Sequence, residues 1–191
     1  MGKTRLAIFA SGSGTNTKAI IGYFKDNASV EVRLVVTNKP EAGVIRVAEA
    51  MGVDFAIASK AELADEELMM ALLEEYNVDV IILAGWLLLV PEYMVKRFDR
   101  RMLNIHPALL PKFGGKGMWG MHVHHAVKAA GERESGITIH KVNAHYDEGA
   151  IIAQHKVAID PSDSAEEIEQ KVRKLELQYY PEEIKKFLDS I

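Results

Sequence analysis

Short apolar runs and amphipathic stretches alternate along the first part of the chain. The pattern predicts strands over 5–10, 30–36, 54–58 and 79–83 and, between them, helices over 17–24, 41–51 and 62–76. The third helix places four leucines on one side, namely Leu63, Leu68, Leu72 and Leu73. The last strand has no polar alternation, which is typical of a parallel strand covered on both faces. The pattern therefore predicts an α/β fold: an open, mostly parallel, twisted sheet with helices on both faces.

The second half of the chain has a mixed pattern. Pro91 starts a short helix, a strand follows over 102–105, and the segment Pro107 to Gly120 is rich in Pro and Gly, which predicts a mobile loop. We expect a helix over 122–130, an antiparallel extension from strands over 136–142 and 151–157, and a closing helix over 164–188 that is kinked or broken at Pro181. No repeat or linker interrupts the pattern, so a single domain over 1–191 is predicted.

Composition and charge exclude several classes of function. The 191 residues are 48% hydrophobic and 26% charged, as in soluble globular proteins. The formal net charge of -4 argues against general nucleic-acid binding, which needs a basic face. The absence of cysteine excludes disulfides, thiolate nucleophiles and cysteine-ligated zinc. No apolar run approaches the roughly 20 residues that span a bilayer. We therefore expect a cytoplasmic protein without nucleic-acid or membrane partners.

A glycine-rich turn follows the first strand. Ser11 to Asn16 (SGSGTN) lies between this strand and a helix, where glycines let the backbone approach a ligand and the helix offers free N–H groups to an anion. The G-x-G spacing lacks the third glycine of a dinucleotide fingerprint, and the turn lacks the Gly-Lys-Ser/Thr of a P-loop. Two interpretations stay open: a tight turn with a capping hydroxyl, or a cradle for a monophosphate.

An amide and an imidazole stand at the end of a later strand. Asn104 and His106 are two residues apart, so they share one face of an extended backbone. Together they can donate hydrogen bonds to one developing oxyanion, and the histidine can give or take a proton near neutral pH. They can equally be a structural pair that fixes a turn. Asp147, in a connection between strands, would raise the pKa of a neighbouring histidine, or is simply a turn carboxylate.

Four motifs resemble those of a known family. Leu103 to Pro111 (LNIHPALLP) resembles the signature of the formyltetrahydrofolate-using transferases. The SGSGTN turn, Ala84 to Trp86 (AGW) and Asp147 to Gln154 (DEGAIIAQ) narrow the resemblance to the phosphoribosylglycinamide formyltransferases of purine synthesis. The resemblance covers nearly the whole chain, and the motifs occur in the family's order. It implies the Rossmann-like formyltransferase variant of the α/β fold.

The resemblance also implies a reaction. The family transfers the formyl group of 10-formyltetrahydrofolate, a co-substrate, to the amine of 5-phosphoribosylglycinamide by direct amine attack, without a metal. It implies that Asn104 and His106 bind the formyl oxygen and the oxyanion, with His106 as proton donor. Asp147 would raise the pKa of His106 and hold a water that relays the proton. Small molecules would be the only partners of a monomer or weak homodimer.

Further residues are implied as binding or supporting groups. Those for phosphoribosylglycinamide are Gly14, Thr15 and Asn16 at the phosphate, Glu176 at the ribose hydroxyls and, one helical turn before it, Arg173. Those for folate are Leu87, Leu88, Leu89, Val90, Asn104, Asn143, Ala144, His145, Tyr146 and Asp147. Leu87 and Leu88 stand where many relatives have Met-Arg, and Gly114 to Gly120 is longer than in some relatives and is expected to be a flexible lid. The supporting residues are His122, His124 and His140, of which the last can also be a buried structural histidine.

Other functions fit the residues less well. His122, His124 and His125 do not share one helical face, so a metal site is not expected. A formyltetrahydrofolate hydrolase would carry an additional N-terminal domain. Methionyl-tRNA and sugar formyltransferases are disfavoured, the former because it needs a further domain and a basic surface. A non-catalytic phosphate- or nucleotide-binding module explains the glycine turn, but not Asn104, His106 and Asp147 together.

Overall fold

The computed structural model describes residues 2–191. The chain divides into two compact units, one ending at Leu103 and one over Asn104–Ile191. The first unit contains β1 (Thr4–Phe9), α1 (Thr15–Phe24), β2 (Val30–Thr37), α2 (Gly43–Met51), β3 (Asp54–Ile57), α3 (Lys60–Ala64), α4 (Glu66–Glu75), β4 (Val80–Leu83) and α5 (Glu92–Arg97). β5 (Met102–His106) crosses the boundary, and the second unit continues with α6 (Met121–Ala129), β6 (Glu134–Lys141), β7 (Ile151–Ala158) and α7 (Ala165–Leu188). A single domain over 1–191 stays a prediction.

The strands form one mostly parallel sheet, as the sequence predicts. Their order is β3-β2-β1-β4-β5-β6-β7. β1 pairs in parallel with β2 and β4, and β2 with β3, whereas β6 and β7 are antiparallel. The chain reverses its direction of travel across the sheet between β1 and β4. Ligands of open α/β sheets bind beyond the carboxyl ends of strands at such a switch point.

The core of the first unit lies on its central strands. Leu6, Ile8 and Phe9 of β1 are fully buried, and all four residues of β4 are buried. Apolar side chains point to both faces of these strands, so each strand needs cover on both sides. This burial explains why the strands read as continuous apolar runs rather than alternating ones.

The helix predicted over 62–76 is two helices. Asp65 ends α3, and its side chain accepts a hydrogen bond from the Leu68 N–H (3.0 Å), which caps α4. The helix thus restarts at a new N-cap, and its buried face moves. The prediction for Leu68 was wrong because this residue is 48% exposed, while Met69 is buried in its place.

α7 continues through Pro181, so the predicted break does not occur. Its N-terminus carries the capping box that Ser164 and Glu167 predict: the Glu167 N–H donates to Ser164 Oγ (3.2 Å), and the Ser164 N–H donates to Glu167 Oε2 (2.7 Å). Tyr180 and Pro181 are both buried. α7 packs against α6, β6 and β7 of the same unit, and this packing stabilises the helix across the proline. Within residues 2–191, no helix combines the length and apolarity needed to cross a bilayer.

Candidate active site

The end of β5 places an amide and an imidazole together. Met102, Leu103 and Ile105 are buried, which fixes the strand and its orientation. Asn104 and His106 therefore share a face, as the two-residue spacing predicts. His106 is only 3% exposed. Its side chain consequently meets protein groups rather than bulk water.

Asp147 meets both of these side chains. Its Oδ2 lies 3.4 Å from His106 Nδ1, and its Oδ1 lies 3.4 Å from Asn104 Nδ2. The Gly115 N–H donates to Oδ2 over 3.0 Å. Asp147 has a φ of 57°, a left-handed conformation in which non-glycine residues are uncommon. The structure thus joins the three residues that the sequence singles out, although Asp147 lies far along the chain.

The contacts of His106 define where its proton lies. Nε2 is 2.7 Å from the carbonyl oxygen of Phe113, and a carbonyl only accepts, so Nε2 carries hydrogen. Nδ1 faces the carboxylate. Burial lowers the pKa of His106, and this effect exceeds the opposite effects of the Asp147 charge and the Phe113 carbonyl, so the pKa lies below 6.5. The raising effect expected of Asp147 is present, but burial outweighs it.

His140 fixes the orientation of the Asn104 amide. Its Nδ1 lies 2.8 Å from the carbonyl oxygen of Lys141 and therefore donates to it. In the neutral ring Nε2 is then an acceptor, and Asn104 Nδ2 donates to it over 3.1 Å. The second N–H of the amide points to Asp147 over the longer distance of 3.4 Å. The donors of Asn104 and His106 are thus held in place by protein acceptors, which a substrate oxygen can replace.

Asp147 is held as a carboxylate. Burial raises its pKa, but contact with His140, the charge of His106 and the Gly115 N–H lower it more, so the pKa lies below 3.8. An ionised carboxylate is an acceptor only. At neutral pH Asp147 can therefore orient a donor or hold a water molecule, but it does not itself supply a proton.

The glycine-rich turn lies at the switch point of the first unit. The Ser11 N–H donates to the Gly85 carbonyl (3.0 Å), which joins the turns after β1 and β4. Gly14 is the N-cap of α1, with φ 81°, and as a glycine it has no side chain with which to cap the helix. Ser13 and Thr15 share a hydroxyl hydrogen bond of 3.0 Å. The start of a helix after a glycine-rich turn is a place where proteins bind anions.

Sequence reasoning missed the groups that support this turn. Ser11 is buried; its hydroxyl donates to Asn38 Oδ1 (2.6 Å) and accepts from the Leu87 N–H (3.1 Å). Ser11 belongs to the SGSGTN motif, whereas nothing local in the sequence marks Asn38. The hydroxyl connects the turn to the segment where folate contacts are predicted.

The remaining predicted residues lie in both units. Leu87 to Val90 belong to the first unit, where Leu89 is exposed and Val90 is buried. Asn143 to Tyr146 belong to the second unit, in the connection before β7. On α7, Arg173 is exposed, with its Nε 3.4 Å from Glu169 Oε1, and Glu176 is partly exposed. On α6, His122 is exposed and lies edge-on to Trp119, and His124 is buried.

Comparison with known proteins decides the family. The family described as formyl transferase matches residues 4–184. The chain belongs to this family. It is 38% identical to the phosphoribosylglycinamide formyltransferase of Bacillus subtilis over 189 residues, 96% of this chain and 94% of that protein. It is 42% identical over 187 residues to the chloroplastic phosphoribosylglycinamide formyltransferase of Arabidopsis thaliana, but spans only 64% of that relative's length.

Solved structures of the family share the fold of this formyl transferase. The phosphoribosylglycinamide formyltransferase of Bacillus halodurans has a TM-score of 0.86 at 34% identity, covering 96% of this chain and 95% of that one. The phosphoribosylglycinamide formyltransferase of Anaplasma phagocytophilum has a TM-score of 0.86 at 31% identity, covering 96% of this chain and 86% of that one.

Among residues 2–191 of this formyl transferase, no three His, Asp or Glu side chains are grouped to hold a metal ion.

We expect Gly14→Ala to destabilise this formyl transferase by about 1–3 kcal/mol. A Cβ at Gly14 would lie 2.8 Å from Val44 Cα, and its φ of 81° disfavours any side chain. Urea unfolding measures the loss. Gly12→Ala is the matched control in the same turn, because a Cβ there meets nothing within 4 Å. Equal stability of the two variants would contradict the close packing of the turn on α2.

We expect this formyl transferase to become less stable as the pH is lowered, because of His124. Burial, followed by the charges of His106 and His125, lowers the pKa of His124 from 6.5 to about 4. As pH falls between these values, the unfolded chain binds a proton that the folded chain refuses, so stability is lost by about 3 kcal/mol at most. Urea unfolding at several pH values should show a shallower decline for His124→Phe than for the wild type. Parallel declines in the two proteins would contradict the attribution of this loss of stability to His124.

Proposed function

We propose that this chain transfers the formyl group of 10-formyltetrahydrofolate to the amine of 5-phosphoribosylglycinamide, a step of de novo purine biosynthesis. The observation that carries the proposal is the meeting of Asn104, His106 and Asp147 at the end of β5, with Asp147 oxygens 3.4 Å from each partner. The near full-length match to the Bacillus subtilis phosphoribosylglycinamide formyltransferase supports the choice of acceptor.

The proposed reaction begins with attack of the amine on the formyl carbon. A C–N bond forms, and the formyl oxygen becomes an oxyanion. The Nε2–H of His106 and an N–H of Asn104 donate to this oxygen in exchange for their present acceptors, Phe113 and Asp147 or His140. Donors that are oriented before the reaction stabilise the developing charge at little reorganisation cost. The bond to the folate nitrogen then breaks.

Proton transfer accompanies this exchange. The attacking amine loses a proton and the departing folate nitrogen gains one, so the reaction needs no net proton. Asp147 stays ionised because its pKa is lowered. It can hold a water that relays the proton and can stabilise a proton on His106 Nδ1, 3.4 Å away. In this proposal His106 gives a proton to the departing folate nitrogen and recovers one from the attacking amine through that water.

The substrate contacts are part of the same proposal. The N–H groups at the start of α1 hold the phosphate, and Glu176 on α7 holds the ribose hydroxyls. Arg173, one helical turn before Glu176, assists at the phosphate. The phosphate residues are Gly14, Thr15 and Asn16, and the folate residues are Leu87 to Val90, Asn104 and Asn143 to Asp147. His122, His124 and His140 support the site.

The proposal also defines the partners. Formyl-folate is a co-substrate, and the reaction proposed here uses no metal. The other substrate is a small molecule, and we propose a cytoplasmic monomer or weak homodimer without nucleic-acid or membrane partners. Analytical ultracentrifugation across a concentration series measures the oligomeric state.

The decisive assay uses the purified chain with 10-formyltetrahydrofolate, with and without 5-phosphoribosylglycinamide. We expect tetrahydrofolate to appear only with the acceptor, in equal amount to formylated product. Release of formate without the acceptor would favour a formyltetrahydrofolate hydrolase. Binding of phosphate ligands without turnover of either kind would favour a non-catalytic binding module.

A further inference from the structure

A buried hydroxyl holds the chain segment that follows His106. Thr138 on β6 is fully buried. Its Oγ1 donates to the Ala108 carbonyl (2.7 Å) and accepts from the Leu110 N–H (3.0 Å). Residues 108–110 therefore have a fixed path although they belong to an irregular segment. Loss of the hydroxyl would leave two backbone groups without this partner.

Gln154 on β7 completes the same network. In the antiparallel pairing of β6 and β7, it lies directly opposite Thr138. Its Nε2 donates to Thr138 Oγ1 and to the Leu110 carbonyl, both over 2.9 Å. Leu110 is thus held at its N–H by one side chain and at its carbonyl by the other. Gln154 ends the DEGAIIAQ motif, and the reaction proposed above gives it no role.

Leu110 connects this network to the groups around His106 and Asp147. A Cβ at Gly114 would lie 2.4 Å from Leu110 Cδ2 and 3.3 Å from Asp147 Cβ, so the Leu110 side chain packs directly against this glycine. On either side of Gly114, the Phe113 carbonyl accepts from His106 Nε2 (2.7 Å), and the Gly115 N–H donates to Asp147 Oδ2 (3.0 Å). The position of Leu110 therefore determines where the Phe113 carbonyl and the Gly115 N–H lie.

We propose that Thr138 and Gln154 are positioning residues that set His106 and Asp147 for catalysis through Leu110 and the turn 113–115. The inference rests on the proposed formyl transfer. Neither side chain needs to touch the substrate. A displaced Leu110 moves the turn, and the turn carries one hydrogen-bonding partner of each of the two reacting groups. Small displacements at a reacting centre have large effects on rate.

The first test is Gln154→Leu, which keeps the side chain's bulk and removes its donors. We expect kcat to fall about tenfold while KM for both substrates stays near the wild-type value, because geometry rather than binding is changed. Lys156→Gln is the matched control on the same face of β7, where it removes only a surface pair with Glu134. We expect the control to keep the wild-type kcat. Equal kcat in the two variants would overturn the inference.

Variants at Thr138 test whether the two residues form one network. Thr138→Val removes the hydroxyl, and we expect it to lower kcat. Thr138→Ser keeps a hydroxyl, and we expect it to restore kcat. If the network is shared, adding Gln154→Leu to Thr138→Val should lower kcat little further. Fully multiplied effects, or failure of serine to restore kcat, would contradict the proposal. Urea unfolding of each variant separates loss of kcat from loss of fold.

An NMR titration of the His106 imidazole decides the inference independently of turnover. The Phe113 carbonyl raises the pKa of His106, so a displaced turn should lower this pKa in Gln154→Leu but not in Lys156→Gln. An unchanged titration would overturn the positioning role. If the wild type transfers no formyl group, the proposed function fails, while the titration still decides whether Gln154 positions the ring.

Discussion

We expect His106→Ala to lower kcat for formyl transfer by about a hundred- to a thousandfold, a loss of about 3 kcal/mol of transition-state stabilisation. The reason is the donor at Nε2, which is held 2.7 Å from a carbonyl oxygen before any substrate binds. Only 3% of His106 is exposed, so bulk water cannot replace the lost donor at a low cost in free energy. Steady-state kinetics with both substrates measures the change, which should fall on kcat more than on KM.

His155→Ala is the matched control for this prediction. His155 also bonds a carboxylate, with Nε2 3.2 Å from Glu183 Oε1, and its ring stacks on Tyr179 at 3.8 Å. It lies on β7, outside the Asn104, His106 and Asp147 cluster, so we expect its loss to leave kcat unchanged. Far-UV circular dichroism checks whether both variants are folded. A folded His106→Ala variant with wild-type kcat would refute the role assigned to the imidazole.

We expect Asp147→Asn to lower kcat by about a hundredfold or more, the range in which general acid–base groups act. The substitution keeps the shape of the side chain and removes its charge. Because the charge of Asp147 raises the pKa of His106, the variant should also shift its kcat–pH profile to lower pH. Kinetics across a pH series measures both effects in one experiment.

Glu148→Gln is the control for charge in the same connection. Glu148 is adjacent to Asp147 and exposed, so its loss removes an equal formal charge without touching His106. We expect the wild-type kcat and pH profile. If Asp147→Asn lowers kcat but leaves the profile in place, Asp147 does not act through the titration of His106.

The first unit was the more predictable part of the fold because its central strands, β1 and β4, are buried on both faces. β4 and residues 6–9 of β1 read as apolar runs with no alternation, and the structure buries all of them. The split between α3 and α4 was not predicted, because Asp65 fits a helix surface as well as an N-cap. Its capping role depends on a hydrogen bond to Leu68 that has no separate sequence signal.

The site was predictable where it depends on local geometry. The spacing of Asn104 and His106 puts them on one face of any strand. The approach of Asp147, 43 residues after Asn104, is set by the connection between β6 and β7, and only the resemblance to a family indicated it. The pairing of Thr138 opposite Gln154 was not predicted from the sequence, because it depends on the register of β6 against β7.

We propose that His106 and Asp147 act as one unit on the formyl group. The most direct test is a double-mutant cycle on kcat with His106→Ala, Asp147→Asn and the combined variant. A shared role predicts that the combined variant is no slower than the slower single variant, because the second substitution removes a partner that has already lost its function. If the two losses of rate multiply, the residues act independently and the account is contradicted.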